Sequence, residues 1–132
     1  MNINELITTV RHDDVLTMRI ETEQIKDGFV AQDLKHILTH TVKRSTATKF
    51  ILDMKNLTFM TSLGCVAFIS VKHAVRDKQA QLVLCNMMPF IRKIFTAKRL
   101  LQASPYNGNV AFVSAETLEE ALEILSPNGS KV

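Results

Sequence analysis

The chain has no tryptophan, one tyrosine, two cysteines, three prolines and four glycines in 132 residues. Two cysteines cannot build a multi-bridge scaffold, and without a CxxC pair they outline no zinc site. Cys65 and Cys85 both lie inside apolar runs, where a thiol acts as a small hydrophobe. Gly28, Gly64, Gly108 and Gly129 are isolated, so no phosphate-cradling loop or dinucleotide fingerprint is present. Long apolar segments are also missing. The longest mostly apolar stretch, Leu63–Val71, has nine residues, and a membrane-spanning helix needs about 20. Asn2, Asn4 and Glu5 stand where a secretory signal would be apolar. A reducing, cytoplasmic setting without direct membrane insertion is the expectation.

What is present suits one domain. Hydrophobic residues make up 46% and charged residues 22%, an ordinary globular balance. A chain of this length buries roughly two-thirds of its unfolded surface and needs no metal or disulfide to hold it. The net charge of +3 is too small to argue for nucleic acid, and no such partner is expected. Its distribution says more. Seven basic residues and one acid, Asp77, lie between Lys72 and Arg99, and no acid separates Asp77 from Glu116. Glu116, Glu119, Glu120 and Glu123 then cluster. Two solvated faces of opposite sign are the first reading; a basic docking face for an acidic partner is the second.

Periodicity gives the element order. Ile3–Val10 and Val15–Glu21 read as a hairpin around a turn at Arg11–Asp14. Thr22–Gly28 reads as a loop. From Phe29, the residues Val30, Leu34, Ile37, Leu38 and Val42 fall on one helical face, and Ser45–Thr48 ends the helix. Phe50–Met54 reads as a buried strand. A helix from Leu63 to about Lys78 follows, with a first half apolar enough to be buried and a solvated second half. Gln81–Cys85 is a strand, and Pro89 suits the first turn of the next helix. That helix should turn Phe90, Ile91, Ile94 and Phe95 inward. Ser104–Asn109 is a loop, Val110–Val113 the last strand, and Ser114 opens a capped helix through Leu118 and Leu125. Pro127–Val132 reads as a flexible tail. The order β-β-α-β-α-β-α-β-α predicts a single α/β domain: a mixed, mostly parallel sheet of about five strands with about four helices.

No catalytic constellation emerges, and no enzyme activity is expected. Asp33, His36 and His40 lie at helical spacing, but without HExxH or further ligands they read as a solvent face; no metal or cofactor is expected. On one straight helix Ser62 and His73 would stand roughly 16 Å apart, and Cys65 and His73 about 12 Å, too far to act as nucleophile and base. Thr61-Ser62 is the most informative spot. It lies between a strand and an apolar helix, where a hydroxyl would cap the helix. A phosphate placed there would gain backbone N–H bonds and add roughly −1.5 to −2 charges to the surface.

Phe50–Gly64 (FILDMKNLTFMTSLG), the helix after it, and Leu82–Phe95 (LVLCNMMPFIRKIF) resemble the STAS domain family, which includes the anti-sigma factor antagonists. The resemblance spans Asn4 to Ser126. It implies the fold just described and a regulatory role: binding an anti-sigma factor that is also a serine kinase. The family's Asp-Ser-Ser-Gly-like run falls on Thr61, Ser62, Leu63 and Gly64, so Ser62 stands in the phosphoserine place and Thr61 is the second phosphorylation candidate. The implied partner-binding residues are Asp27, Thr61, Ser62, Leu63, Gly64, Val66 and Asn86. Asp27 is the nearest match to a loop acid of the family and also reads as a helix cap. In Thr96–Leu100 a small-Gly-Leu turn of the family is replaced. Other implied roles are a constitutive scaffold in a stress-signalling or transport assembly, and a homodimer is compatible with either.

Overall fold

The computed structural model describes residues 6–101 and 112–126. Strands β1 (Ile7–His12) and β2 (Val15–Ile20) form an antiparallel hairpin. Its tight turn is carried by Asp13 at φ 55°, held by a bond from Arg11 Nε to the Asp13 carbonyl (2.6 Å). β3 (Gln24–Ile25) is followed by α1 (Gly28–Arg44), β4 (Lys49–Asp53), β5 (Phe59–Met60) and α2 (Leu63–Asp77). Then come β6 (Gln81–Cys85), α3 (Pro89–Ala97), β7 (Val113–Ala115) and α4 (Leu118–Leu125). Five strands make one sheet in the order β1-β2-β4-β6-β7, parallel except for the hairpin. β3 and β5 form a separate two-stranded parallel ladder.

The central strands are continuously apolar because both sheet faces are covered. In β4, Phe50 and Leu52 join the larger core beneath α1, α2 and α3, whereas Ile51 joins Val83, Cys85 and Ala115 beneath α4. A chain of rings, Phe68–Phe95 (5.8 Å) and Phe95–Phe112 (5.7 Å), links α2, α3 and the approach to β7. The α1 and α2 ends are tied together. Lys78 Nζ donates to the carbonyls of Val42 and Ser45, placing a cation where the α1 dipole is negative.

The expected α/β order and sheet hold, with local corrections. The segment read as a loop before α1 contains β3, because its backbone pairs with β5. The first strand is Ile7–His12, so the hairpin turn is two residues shorter than the sequence suggests. Lys78 is not merely solvated, since it caps α1. Phe90 does not turn inward: only Ile91 and Phe95 of α3 are fully sealed, and Phe90 is 44% exposed. Among the described residues the last strand is Val113–Ala115, preceded by a single parallel bridge from Phe112 to Leu101; Val110 and Ala111 of the expected strand lie outside the described residues. The cap of α4 is Thr117, whose hydroxyl accepts from Glu120 N at 3.1 Å, and not Ser114, which lies inside β7. The predicted Ser104–Asn109 loop and the 127–132 tail lie outside the described residues.

Candidate functional site

Parallel strands followed by helices place the starts of α1, α2 and α3 at one end of the sheet. The β3–β5 ladder ties the first two together. Gln24 pairs with Phe59 and Ile25 with Met60. Thr58 N donates to Glu23 O (2.9 Å) and Thr61 N to Ile25 O (3.0 Å). Asp27 and Ser62 each follow the last paired residue by two positions, so the register brings the two predicted site positions into adjacent loops. Asp27 caps α1: its Oδ1 accepts from Val30 N at 2.9 Å.

Ser62 occupies the cap position of α2 but does not cap it. Its backbone is already helical (φ −61°, ψ −18°), and its side chain makes no capping bond. A capping side chain normally needs an extended backbone to reach back to the orphan N–H groups. Here tight carbonyl bonds serve instead, Gly64 N to Thr61 O (3.0 Å) and Cys65 N to Ser62 O (3.1 Å). The Ser62 side chain is therefore exposed and structurally unemployed. Thr61 is its opposite. Its Oγ1 is sealed from solvent and has no hydrogen-bond partner. Gly64 lets the turn close, because a Cβ there would lie 2.8 Å from Met60 Sδ and 3.4 Å from Ile25 Cδ1.

The first half of α2 is not buried all round, as its composition suggests. Leu63 is 48% exposed and Val66 56%. Both line a groove between α1 and α2 floored by Ala31 and Ala67 and edged by Lys35. Burial pushes the Cys65 thiol up, against the opposing effect of the Lys98 charge. Among the described residues, six of the seven exposed large apolar side chains belong to the starts of α1, α2 and α3 or to β5: Phe29, Phe59, Leu63, Val66, Met88 and Phe90. The seventh, Val10, is on β1.

Asn86 has an inward role. Its left-handed backbone (φ 59°) suits an asparagine. Its amide donates to Asp53 Oδ1 (3.1 Å), a nearly sealed carboxylate that also accepts from Lys55 N (3.2 Å). Beside it, burial together with the negative charges of Asp53 and Glu119 pushes the Cys85 thiol up to about 12. His36 and His73 each contact a neighbour on their own helix, Gln32 (3.2 Å) and Arg76 (3.0 Å). Sequence reasoning missed Phe29, Phe59, Met88 and Phe90. The available signal was an aromatic at the second position of two helices, ahead of each inward stripe.

Comparison with solved structures gives full-length matches at low identity. Bacillus SpoIIAA in its phosphorylated form is 16% identical, covers 91% of this chain and 99% of its own, and has a TM-score of 0.61. An anti-sigma factor antagonist from Mycobacterium paratuberculosis is 18% identical, with 88% and 89% coverage and a TM-score of 0.66. A chain from the stressosome, described as a signal integration and transduction hub, is 15% identical, with 88% and 93% coverage and a TM-score of 0.60. At these identities the matches speak to the fold. The family comparison goes further, matching residues 7–105 of the 132 to the STAS domain. This chain belongs to the STAS domain family.

Proposed function

We propose that the chain, with residues 4–126 as its domain, is a non-enzymatic, cytoplasmic regulatory module of the anti-sigma factor antagonist type. It docks an anti-sigma factor with serine-kinase activity through the start of α2, and phosphorylation of Ser62 releases the partner. The observation that carries this reading is the Ser62 side chain, exposed and bearing no structural duty, at the start of a helix whose Leu63 and Val66 are exposed. Exposed apolar side chains gathered at the helix starts mark a contact surface. A phosphate there would be accepted by the helix start but would repel an apolar or acidic partner face. Leu63 and Val66 supply contact, Gly64 keeps the turn tight, Asp27 forms the α1 rim, and Asn86 shapes the β6–α3 loop. Thr61, with its hydroxyl sealed, serves as support and is the weaker phosphorylation candidate.

A constitutive scaffold is the second reading, favoured by Leu63. An exposed leucine in the place of the family's second serine makes the surface more adhesive and less switchable. Affinity capture from the native cell with wild type, Ser62→Ala and Ser62→Asp, followed by mass spectrometry, separates the two. Under the switch reading, a kinase is held by wild type and Ser62→Ala, lost with Ser62→Asp, and phosphorylates Ser62 when purified. An unchanged partner set with Ser62→Asp and no phosphopeptide refutes the switch and leaves the scaffold.

A further inference from the structure

The sheet face opposite α1, α2 and α3 is only partly covered. Side chains alternate between faces, so the strand register sets Thr8, Arg19, Asp53, Cys85 and Ala115 in one row across that face. Val10, Thr17, Ile51 and Val83 form the next row. The one helix on this side, α4, packs on Ile51, Val83, Cys85 and Ala115. A helix is about 10–12 Å across, whereas five strands about 4.8 Å apart span roughly 19 Å. The β1–β2 end of each row therefore lies beside α4 and not beneath it. There a hollow of about 130 Å³ is lined by Thr8, Val10, Thr17, Arg19, Asp53 and Leu118. It accounts for Val10, the exposed apolar side chain that stands apart from the helix starts.

Two opposite charges line this hollow without pairing. Asp53 is only 5% exposed. Its Oδ1 accepts from Lys55 N (3.2 Å) and Asn86 Nδ2 (3.1 Å), which fix the carboxylate, while Oδ2 has no hydrogen bond within the described residues. Among those residues Thr61 Oγ1 is the one fully sealed side-chain polar atom without a partner, so Asp53 Oδ2 keeps an opening, and the hollow supplies it. Arg19, beside Asp53 in the row, donates from Nε to Glu21 (2.8 Å), and Nη1 and Nη2 meet no acceptor among the described residues. Glu21 itself is saturated, accepting also from Thr8 (2.6 Å) and Asn56 (2.9 Å). The ion pairs among the described residues are His12–Asp13, Arg19–Glu21 and Lys49–Asp14, so none joins Arg19 to Asp53. A buried carboxylate oxygen facing a hollow gains much from a charged donor. A free guanidinium fork gains equally from a carboxylate.

We infer that this hollow binds a small aliphatic α-amino acid: its ammonium donates to Asp53 Oδ2, its carboxylate takes the Arg19 Nη fork, and its side chain lies on Val10 and Leu118. The zwitterion follows from the two unpaired charges on neighbouring strands. A plain anion would face Asp53 and Glu21, and also Glu119, whose charge reaches Cys85 in the same row. A plain cation or a metal ion would face Arg19. The volume is far below the roughly 300–1,000 Å³ of sites for drug-sized ligands, which excludes a nucleotide. The site lies on the other face of the sheet from α2, and the inference stands apart from the docking reading.

The test is titration of the isotope-labelled full chain, followed by amide chemical shifts. The probes are L-alanine and L-valine, with isobutylamine and isovalerate as analogues that lack the carboxylate or the amine. The expected result is saturable shifts at the residues lining the hollow, with a Kd of about 1 mM or tighter for at least one amino acid. Each analogue should bind about tenfold more weakly or not at all. Asp53→Asn keeps an Oδ1 acceptor for Lys55 and Asn86 but loses the charge, and Arg19→Gln loses the fork; each should weaken binding about tenfold. The amide spectrum away from the hollow shows whether each variant is folded. If Asp53→Asn is not, Arg19→Gln together with Arg19→Lys decides, the lysine keeping the charge and still binding more weakly than wild type. Any of four results overturns the inference: no saturable shift with either amino acid, an analogue binding as tightly as the amino acids, an unchanged Kd in Arg19→Gln, or shifts confined to the groove between α1 and α2.

Discussion

Replacing Thr61 with valine should make the protein more stable. The two side chains have nearly the same shape, so the exchange removes a hydroxyl without opening a cavity. That hydroxyl is sealed and has no partner. A buried hydroxyl left unpaired costs about 1–3 kcal/mol relative to one that keeps its water. Valine also keeps the β-branched backbone preference of threonine. A gain of about 1–2 kcal/mol is expected. For a chain of this size that is a rise of about 4–6 °C in Tm, or about 1 M in the urea midpoint if the slope is near 1.5 kcal/mol/M. Urea titration followed by circular dichroism reads it directly, with Thr61→Ser as the control that keeps the hydroxyl and loses the methyl. If valine lowers the midpoint, or if serine and valine shift it equally, the hydroxyl is satisfied in solution and the reasoning fails. Partner affinity should be unaffected in Thr61→Val, because the atom removed does not reach the surface.

Three further outcomes follow from the same geometry. Asp27→Ala removes the cap on Val30 N and should cost about 1 kcal/mol, read as a lower urea midpoint. Arg99 holds a left-handed backbone (φ 57°) at the end of α3, where Leu100 N closes the turn on Phe95 O; Arg99→Gly should stabilise by about 0.5–1 kcal/mol, the relief of strain less the added freedom of the unfolded chain. The Cys85 thiol is raised from 9.0 to about 12 by burial. The folded state then holds its proton where the unfolded state has lost it, so stability is intact below pH 9 and falls as pH rises from 9 towards 12. Urea titrations at pH 8, 9.5 and 10.5 should show this fall in wild type and a flatter profile in Cys85→Ala.

The sequence carried the sheet and helices well where one period dominated. The α1 stripe of Leu34, Leu38 and Val42 and the run Phe50–Asp53 are buried as their patterns require. It failed where two residues suffice to make an element. Gln24–Ile25 and Phe59–Met60 are too short for any alternation, and only their mutual pairing makes them strands. It failed again at helix starts. Composition alone made Leu63, Val66 and Phe90 look like core, because a helix's first turn projects beyond the layer it packs on. Ser62 was legible as a position but not as a geometry. A serine before an apolar helix signals a cap, and only the observed backbone angles show that this one is free. The replaced family turn at Thr96–Leu100 was legible, and Arg99 shows the local consequence, a bulky residue in a conformation that glycine favours.

The small ladder between β3 and β5 bears on how any modification of Ser62 would be felt. The amides of Thr58, Phe59 and Thr61 are all bonded to carbonyls of the segment before α1. In hydrogen exchange these three should be slow, as in a sheet, although they sit in what looks by length like a connecting loop. The neighbouring Ser62 is thus mounted on a stiff bracket shared by two helices. Charge added there has no slack chain to rearrange, so its message is written on the surface as shape and potential, and the fold beneath it stays as it was.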